Sequence, residues 1–494
     1  MLATVAVAGG WKYAADPAGE KDCGPVAPRA SAADGPSIND VSCLNPTRVR
    51  DVIAVKTVDD ITGGVARARQ EGLKISIAGA RHSQGGHAFA AGAIVLDMRG
   101  FNSMSLDENA RVLKVESGAT WHDIQKYLHP RFAVKAMQST DLFTVGGSIS
   151  VNAHGMDHQA GSVGGTIRSM RVMTVDGEIH QVSRTENADL FRLVVGGYGL
   201  FGIIIDADLD VTENAVYRSG REILDYKEFP AFFARRIQPD TSYRLLYAHL
   251  STAPQSFLKE TIVYTYQQVP ADASKIPPLD DVGSVRLRRF VFNFSKMGSL
   301  PMRLKWWAEK HIEPRIESCP AGHDNGCLVS RNHPMHDSVP YLMNSLAGET
   351  DILQEYFIPR DRLVPFVDGL RRIATANRAN LLNASVRVVH REDNLLNYAP
   401  GDMFAIVLYL NQKTTQQGSE RMAMLTRELI DLTIESKGRF FLPYQLHYTA
   451  AQLRRSYPEI EQFFRAKDQY DPGHLLTNTF YNKYAPTILA GQQP

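Results

Sequence analysis

Three glycine-rich segments hold the first chemistry legible in this chain of 494 residues. They run over 77–88 (IAGARHSQGGHA), 144–155 (TVGGSISVNAHG) and 196–202 (GGYGLFG). Loops without side chains let backbone N–H groups approach a pyrophosphate closely. The first two, about 65 residues apart, could hold the two ends of one long dinucleotide. Three unrelated tight turns would leave the same pattern. The third contains GxGxxG at Gly197, Gly199 and Gly202, a fingerprint that needs a helix after it. The next residues, IIIDADLDV at 203–211, alternate like a strand, so this is not a Rossmann loop. Neither GxxxxGK[ST] nor HExxH occurs, which disfavours P-loop hydrolysis and zinc-protease chemistry. His154 and His158 stand four apart, but Gly155 between them marks a loop. No metal site is expected.

The elements that must position these loops begin near residue 46. Apolar, β-branched runs at 51–57, 74–78, 94–97 and 112–116 read as strands. Helical spacing covers 58–71, and Thr120 caps a helix over 120–128. Asp176-Gly177 between apolar runs signals a hairpin. Short strands, two helices and many glycines make 46–212 an α+β domain. Long alternating runs at 243–250 and 403–410, with a helix at 422–436, make 213–440 a second domain, a sheet with covering helices. Residues 441–494 form a last segment with a helix at 459–466. Residues 1–45 read as an extension and linker. The start is small and apolar but lacks the basic n-region of a signal peptide.

Lys+Arg is 54 against 53 Asp+Glu, a net charge of +1, which argues against a nucleic-acid binder. The four cysteines fall into two local groups, Cys23 with Cys43 and Cys319 with Cys327. Two disulfides in an oxidising compartment would suit that grouping; four separate buried thiols would too. Together with the apolar start, it leans toward an exported, periplasmic or membrane-associated protein over a cytoplasmic one. Between 285 and 315 eight basic residues face only Glu309 and Glu313, with Phe290, Phe292, Phe294, Trp306 and Trp307 interleaved. That composition suits a peripheral membrane contact, or a solvated face over ordinary core aromatics.

The order of the three glycine segments resembles the vanillyl-alcohol oxidase / p-cresol methylhydroxylase flavoprotein family. The likeness covers about 46–212, and SYPEIEQFFRAKDQYDPGHLLTN at 456–478 extends it. The branches it resembles most are the alditol and aldonolactone oxidases and the decaprenylphosphoryl-ribose oxidases. The resemblance implies a two-subdomain FAD module at 46–212. It also implies a cap over 213–440 with a large antiparallel sheet covered by helices, and a C-terminal segment that returns to the flavin.

It further implies which residues meet the cofactor. They are Gly79, Ala80, Arg81, His82, Ser83, Gly85 and Gly86, then Val145, Gly146, Gly147, Ser148 and His154, then Gly197, Gly202, Ile203 and Asn478. The His of the family's His-Ser pair, which maps onto His82, carries FAD covalently through the flavin 8α carbon in the sugar oxidases; the ribose oxidases lack it. His87 is the lesser alternative. In the cap, SVRVVH at 385–390 places Arg387 on a family active-site Arg, with Ser385 where that pattern has Glu. Tyr444 stands where the sugar oxidases have Lys, and Ala405 where the ribose oxidases have Cys. Tyr444, His447 and His390 are then the candidates for the substrate proton, and Arg387 for stabilising negative charge. The implied reaction is FAD-dependent hydride removal from a CH–OH carbon of a sugar, polyol or lactone, with oxygen, a quinone or a dye as acceptor. An amine oxidation through Asp141, as in cytokinin dehydrogenase, and a redox-silent flavin protein are the alternatives.

Overall fold

The computed structural model describes residues 35–270, 275–281, 283, 285–312, 327–339 and 346–491. The described chain falls into two compact units: 35–214 with 389–402 and 441–491, and 215–388 with 403–440.

The first unit carries all three glycine segments. Its three-stranded sheet is parallel, with Ile94–Asp97 between Asp51–Ala54 and Ile75–Ala78. Parallel neighbours need a crossover, and helix Val58–Gln70 supplies one. Thr57 and Asp60 cap that helix reciprocally, and Ile61, Val65 and Ala68 bury its inner stripe. A second, antiparallel sheet runs Ile179–Ser183, Ile167–Met173, Ile203–Glu213, Val112–Glu116, Met104–Asp107, with Phe132–Val134 on the far end of the central strand. The expected Asp176-Gly177 turn joins its first two strands, with Gly177 at φ +95°. One core serves both sheets: Ile75, Ile94 and Leu96 pack with Met173, Ile203 and Ile205, and with Leu475 and Leu476 near the C-terminus.

Three expectations need correction here. Residues 37–45 are not linker, because Ser37–Ile38 pairs with Thr47–Arg48 and Asp40 reaches the first glycine loop. Residues 145–150 are helical rather than loop, capped by Thr144, which accepts the Gly147 N–H. Residues 389–402 lie within the range expected for the cap but group with the glycine-loop unit.

The second unit is built on an eight-stranded antiparallel sheet. Its order is Leu328–Ser330, Val216–Asp225, Glu260–Gln268, Tyr243–Leu250, Asn380–Val389, Met403–Lys413, Glu349–Pro359, Arg439–Phe440. Helices Leu363–Ala376 and Gln416–Glu435 bury apolar stripes, as expected of covering helices. The 285–315 stretch folds as helices Val285–Ser295 and Ser299–His311 as far as it is described. Cys43 and Cys327 are each disulfide-bonded, so the reading of four separate thiols fails. Cys23 and Cys319 lie outside the described residues.

Candidate functional site

The three glycine segments, distant in sequence, meet in one place. A Cβ on Gly79 would lie 2.1 Å from Thr144 Oγ1, so the first segment abuts the second with room only for hydrogen. The N–H of Gly196 donates to Ile149 O at 2.9 Å, and that of Tyr198 to Ser150 O at 2.8 Å, which brings in the third. Asn478 closes the set by donating its side-chain amide to Tyr198 O at 2.8 Å, while its carbonyl caps Tyr481 N–H. Gly197 sits where a Cβ would strike Leu193 O, and Gly202 where one would strike Val172. Strand Ile203–Glu213 comes next, in agreement with the exclusion of a Rossmann loop, and Ile203 is core.

The His82 loop is held at both ends. Arg81 adopts φ +55° and Gly86 +71°, so the chain turns sharply on each side of His82 and Ser83. Val41 N–H donates to Arg81 O at 3.1 Å, and Gly86 N–H to Asp40 Oδ2 at 3.1 Å. Burial pushes Asp40 up to about 6, against its bonds to Ser42, Asn45 and the loop. Gln84 N–H donates to Pro443 O at 2.8 Å, and a Cβ on Gly85 would lie 2.5 Å from Tyr444 O. The C-terminal segment therefore returns to this loop, with half-buried Tyr444 and His447 beside it. Ala80 and Ser83 complete the loop at partial exposure.

His82 and His87 differ sharply. His82 is partly exposed and meets Phe143 edge-on at 4.9 Å. His87 is buried between Phe480 and Tyr198, at 5.6 and 5.7 Å. Burial drives it down to about 3, a weak Leu442 backbone interaction opposing.

The second segment is braced from beneath. Val145 N–H donates to Ala119 O and Gly146 N–H to Ser117 O. Ser148 Oγ accepts from Trp121 Nε1 at 2.8 Å, and its one O–H lies 2.9 Å from both Gln138 Oε1 and Thr144 O, which makes it a hub of this helix. His154 is buried against Tyr398 and Phe441, at ring distances of 5.6 and 6.4 Å.

Sequence reasoning missed what residues 389–402 bring. Glu392 accepts from Asn152 Nδ2 and Ser162 Oγ, both at 2.8 Å. Burial raises its pKa, those bonds and nearby His154 and His390 opposing. Tyr398 donates to Asn152 O at 2.8 Å. His390 bonds Asp402 Oδ1 at 3.0 Å through Nδ1 and His158 O through Nε2. Both partners are acceptors, so no ring nitrogen is left to take a substrate proton in this arrangement. Asp141, fully buried, holds His122 Nδ1 at 2.8 Å and its backbone N–H at 2.9 Å.

Arg387 belongs to the sheet unit. It stands on strand Asn380–Val389 with its guanidinium carbon 5.0 Å from the Tyr247 ring centre. Its NH1 is buried with no hydrogen-bond partner among the described residues. Burial lowers its pKa, while Tyr247, Glu355 and Tyr266 hold it up. Ser385 and Ala405 are buried in the same sheet. An unsatisfied buried guanidinium nitrogen is costly, and a ligand oxygen would relieve it.

The glycine loops fit FAD by their own chemistry. They present backbone where side chains would collide, and Ser117 Oγ, on the residue packed against Gly146, is buried without a partner among the described residues. A buried hydroxyl of this kind calls for a ligand or water.

A parallel three-stranded sheet, an antiparallel sheet and glycine loops at their junction define a flavin-binding module. The chain belongs to the FAD-linked oxidoreductases whose FAD domain is of the p-cresol methylhydroxylase type. A family described as the FAD binding domain matches residues 50–183. The decaprenylphosphoryl-beta-D-ribose oxidase of Mycolicibacterium smegmatis is 36% identical over 87% of this chain and 93% of its own length. Cytokinin dehydrogenase 2 of Arabidopsis thaliana is 23% identical over 82% of each chain.

Proposed function

We propose that this FAD-dependent oxidoreductase oxidises a CH–OH carbon of a sugar-, polyol- or lactone-like substrate. A sugar carried on a polyprenyl phosphate is the first to test. The observation that carries the reading is the likeness along 93% of an oxidase named for decaprenylphosphoryl-ribose. Bound FAD would accept the hydride at N5. The glycine loops hold the dinucleotide, Tyr444 or His447 takes the hydroxyl proton, and Arg387 neutralises charge developing on oxygen. Oxygen, a quinone or a dye would be the electron acceptor. His390, with both nitrogens engaged, positions residues 389–402. The amine alternative would use Asp141, whose carboxylate is engaged by His122.

We also propose that FAD is joined covalently to His82. The partial exposure of His82 and the enclosure of His87 support this choice. The test is acid precipitation of the purified protein. Yellow in the pellet, lost in His82→Ala, supports the linkage; yellow in the supernatant sinks it. For the substrate, anaerobic mixing with polyprenylphosphoryl-ribose, free pentose, alditol, aldonolactone or an N6-prenyl adenine would be followed by loss of the visible flavin band. Bleaching by the adenine alone would overturn the CH–OH reading.

A further inference from the structure

Helices Val285–Ser295 and Ser299–His311 are apolar on two sides. Their inner side is seated on the sheet unit: Phe292 and Met302 pack on Leu382, and Trp306 on Ala253 and Ile262. Polar residues complete that seat. Trp306 Nε1 and Lys310 Nζ both donate to Glu260, at 2.6 and 2.5 Å. Lys305 donates to Leu382 O, and Lys296 pairs with Asp351 inside. Glu309 is turned inward onto His249 at 2.7 Å. Burial would raise Glu309, but Lys305, His249 and Arg221 bring it down to about 2.

The outer side should then be polar, as on an ordinary surface helix. It is not. Leu287, Phe290 and Val291 stand at i, i+3 and i+4 on the first helix, and Leu300, Leu304 and Trp307 at i, i+4 and i+7 on the second. Leu287 is 63% exposed, Leu300 64% and Trp307 54%. Scattered apolar residues are normal on a surface, but two aligned stripes on adjacent helices are an interaction surface. The charges tell what meets it. Over 285–312 the one carboxylate, Glu309, is inside, while Arg286, Arg288 and Arg303 are exposed. An apolar face that carries exposed arginines and a tryptophan, on helices whose one carboxylate is turned inside, complements an anionic bilayer surface.

We propose that this helix pair docks the protein onto membranes rich in anionic lipid, with the apolar stripes entering the headgroup boundary and the three arginines meeting lipid phosphates. The inference does not rest on the substrate reading, since docking needs neither flavin nor turnover. The test is flotation of the full-length, FAD-loaded protein with vesicles of phosphatidylglycerol and phosphatidylcholine, and with phosphatidylcholine alone. Binding should favour the anionic vesicles and weaken with salt. Arg286→Glu/Arg288→Glu/Arg303→Glu should weaken it by roughly a hundredfold, and Leu300→Glu/Trp307→Glu by roughly as much. Flavin content and turnover of a soluble probe should stay at the parent level in both, which separates lost docking from lost folding. Failure to float with anionic vesicles would overturn the proposal, as would undiminished binding by both variants. So would a concentration-dependent dimer in sedimentation velocity that these substitutions dissociate, because the stripes would then face a second copy of the chain.

Discussion

Under the proposed function the two units recognise by opposite means. The glycine-loop unit works through backbone: Gly79, Gly146 and Gly85 stand where a methyl would strike Thr144, Ser117 and the Tyr444 carbonyl. The sheet unit offers side chains on a rigid platform, above all Arg387 over Tyr247. Backbone recognition tolerates no substituent, so it writes itself into sequence as glycine at fixed places. Side-chain recognition tolerates many solutions, and here Ser385, on the Arg387 strand, replaces the Glu expected from the family pattern. Damage to the first unit should therefore remove the cofactor, whereas damage to the second should leave the protein yellow and slow.

The largest effect should come from Gly79→Ala. Its methyl would meet Thr144 Oγ1 at 2.1 Å, and overpacking of this kind costs about 1–3 kcal/mol. Because the strain falls between two loops of the cradle, flavin retained through gel filtration should drop to a small fraction. Thr144→Ala alone loses an N-cap worth about 1 kcal/mol. Combined with Gly79→Ala it should cost less than the sum, because it removes the struck atom. Additive losses in thermal unfolding would show that the loops do not press on each other.

Arg387→Met should act the other way. Flavin content should match the parent, while kcat falls roughly 100- to 1000-fold, the range for removing one preorganised charge-stabilising group. Arg387→Lys should recover little, since an ammonium cannot reproduce a planar fork stacked on a ring. Loss of flavin in either variant would erase the division of labour between the units.

The same contrast governs what was readable from sequence. The loops, the strand after GxGxxG and the hairpin at Asp176-Gly177 were legible because each rests on a local backbone requirement. Helix Val145–Ser150 was hidden because its glycines signal a loop, while what holds it is the Thr144 cap, the Ala119 and Ser117 carbonyls that accept its first N–H groups, and Trp121 and Gln138 on Ser148. Residues 389–402 were read into the cap because nothing local says that Glu392 bonds Asn152 some 240 positions away. The basic stretch at 285–315 was legible as composition, not as orientation. Lys296, Lys305 and Lys310 turn inward because Asp351, Leu382 O and Glu260 await them, and no spacing rule reveals such partners.

A smaller effect distinguishes two buried groups, His87 in the first glycine segment and Asp40 bonded to it. His87, held down at about 3, is neutral when folded, whereas the unfolded chain takes up a proton below its ordinary value of 6.5. Its share of stability is intact above pH 6.5 and drains as pH falls, by about 2–3 kcal/mol at pH 4.5. Asp40, raised to about 6 from 3.8, runs oppositely: its share is present below pH 3.8 and is lost as pH rises through 6. The two slopes partly cancel between pH 4 and 6. His87→Leu should leave stability falling with pH across that window, and Asp40→Asn should leave it rising more steeply. Urea midpoints at half-unit intervals would read both, and parallel profiles in the two variants would refute the assignment.

The smallest effect is the most selective. The Ser117 hydroxyl has no hydrogen-bond partner among the described residues: Oγ is buried beside Gly146, while the backbone N–H donates to Ile205 O at 3.0 Å and the carbonyl receives the Gly146 N–H at 2.8 Å. Deleting a hydroxyl that the protein itself leaves unsatisfied removes a desolvation cost and no internal bond. Ser117→Ala should therefore leave the flavin-free protein as stable as the parent, or slightly more so. If the hydroxyl serves the cofactor, FAD affinity should fall roughly tenfold, seen as a smaller rise in melting temperature on adding FAD to stripped protein. A covalent bond at His82 would mask that loss at equilibrium, so His82→Ala is the background for the measurement. An unchanged FAD-induced shift there would mean that Ser117 faces water instead. The cradle would then rest on backbone alone, making the contrast with the sheet unit sharper still.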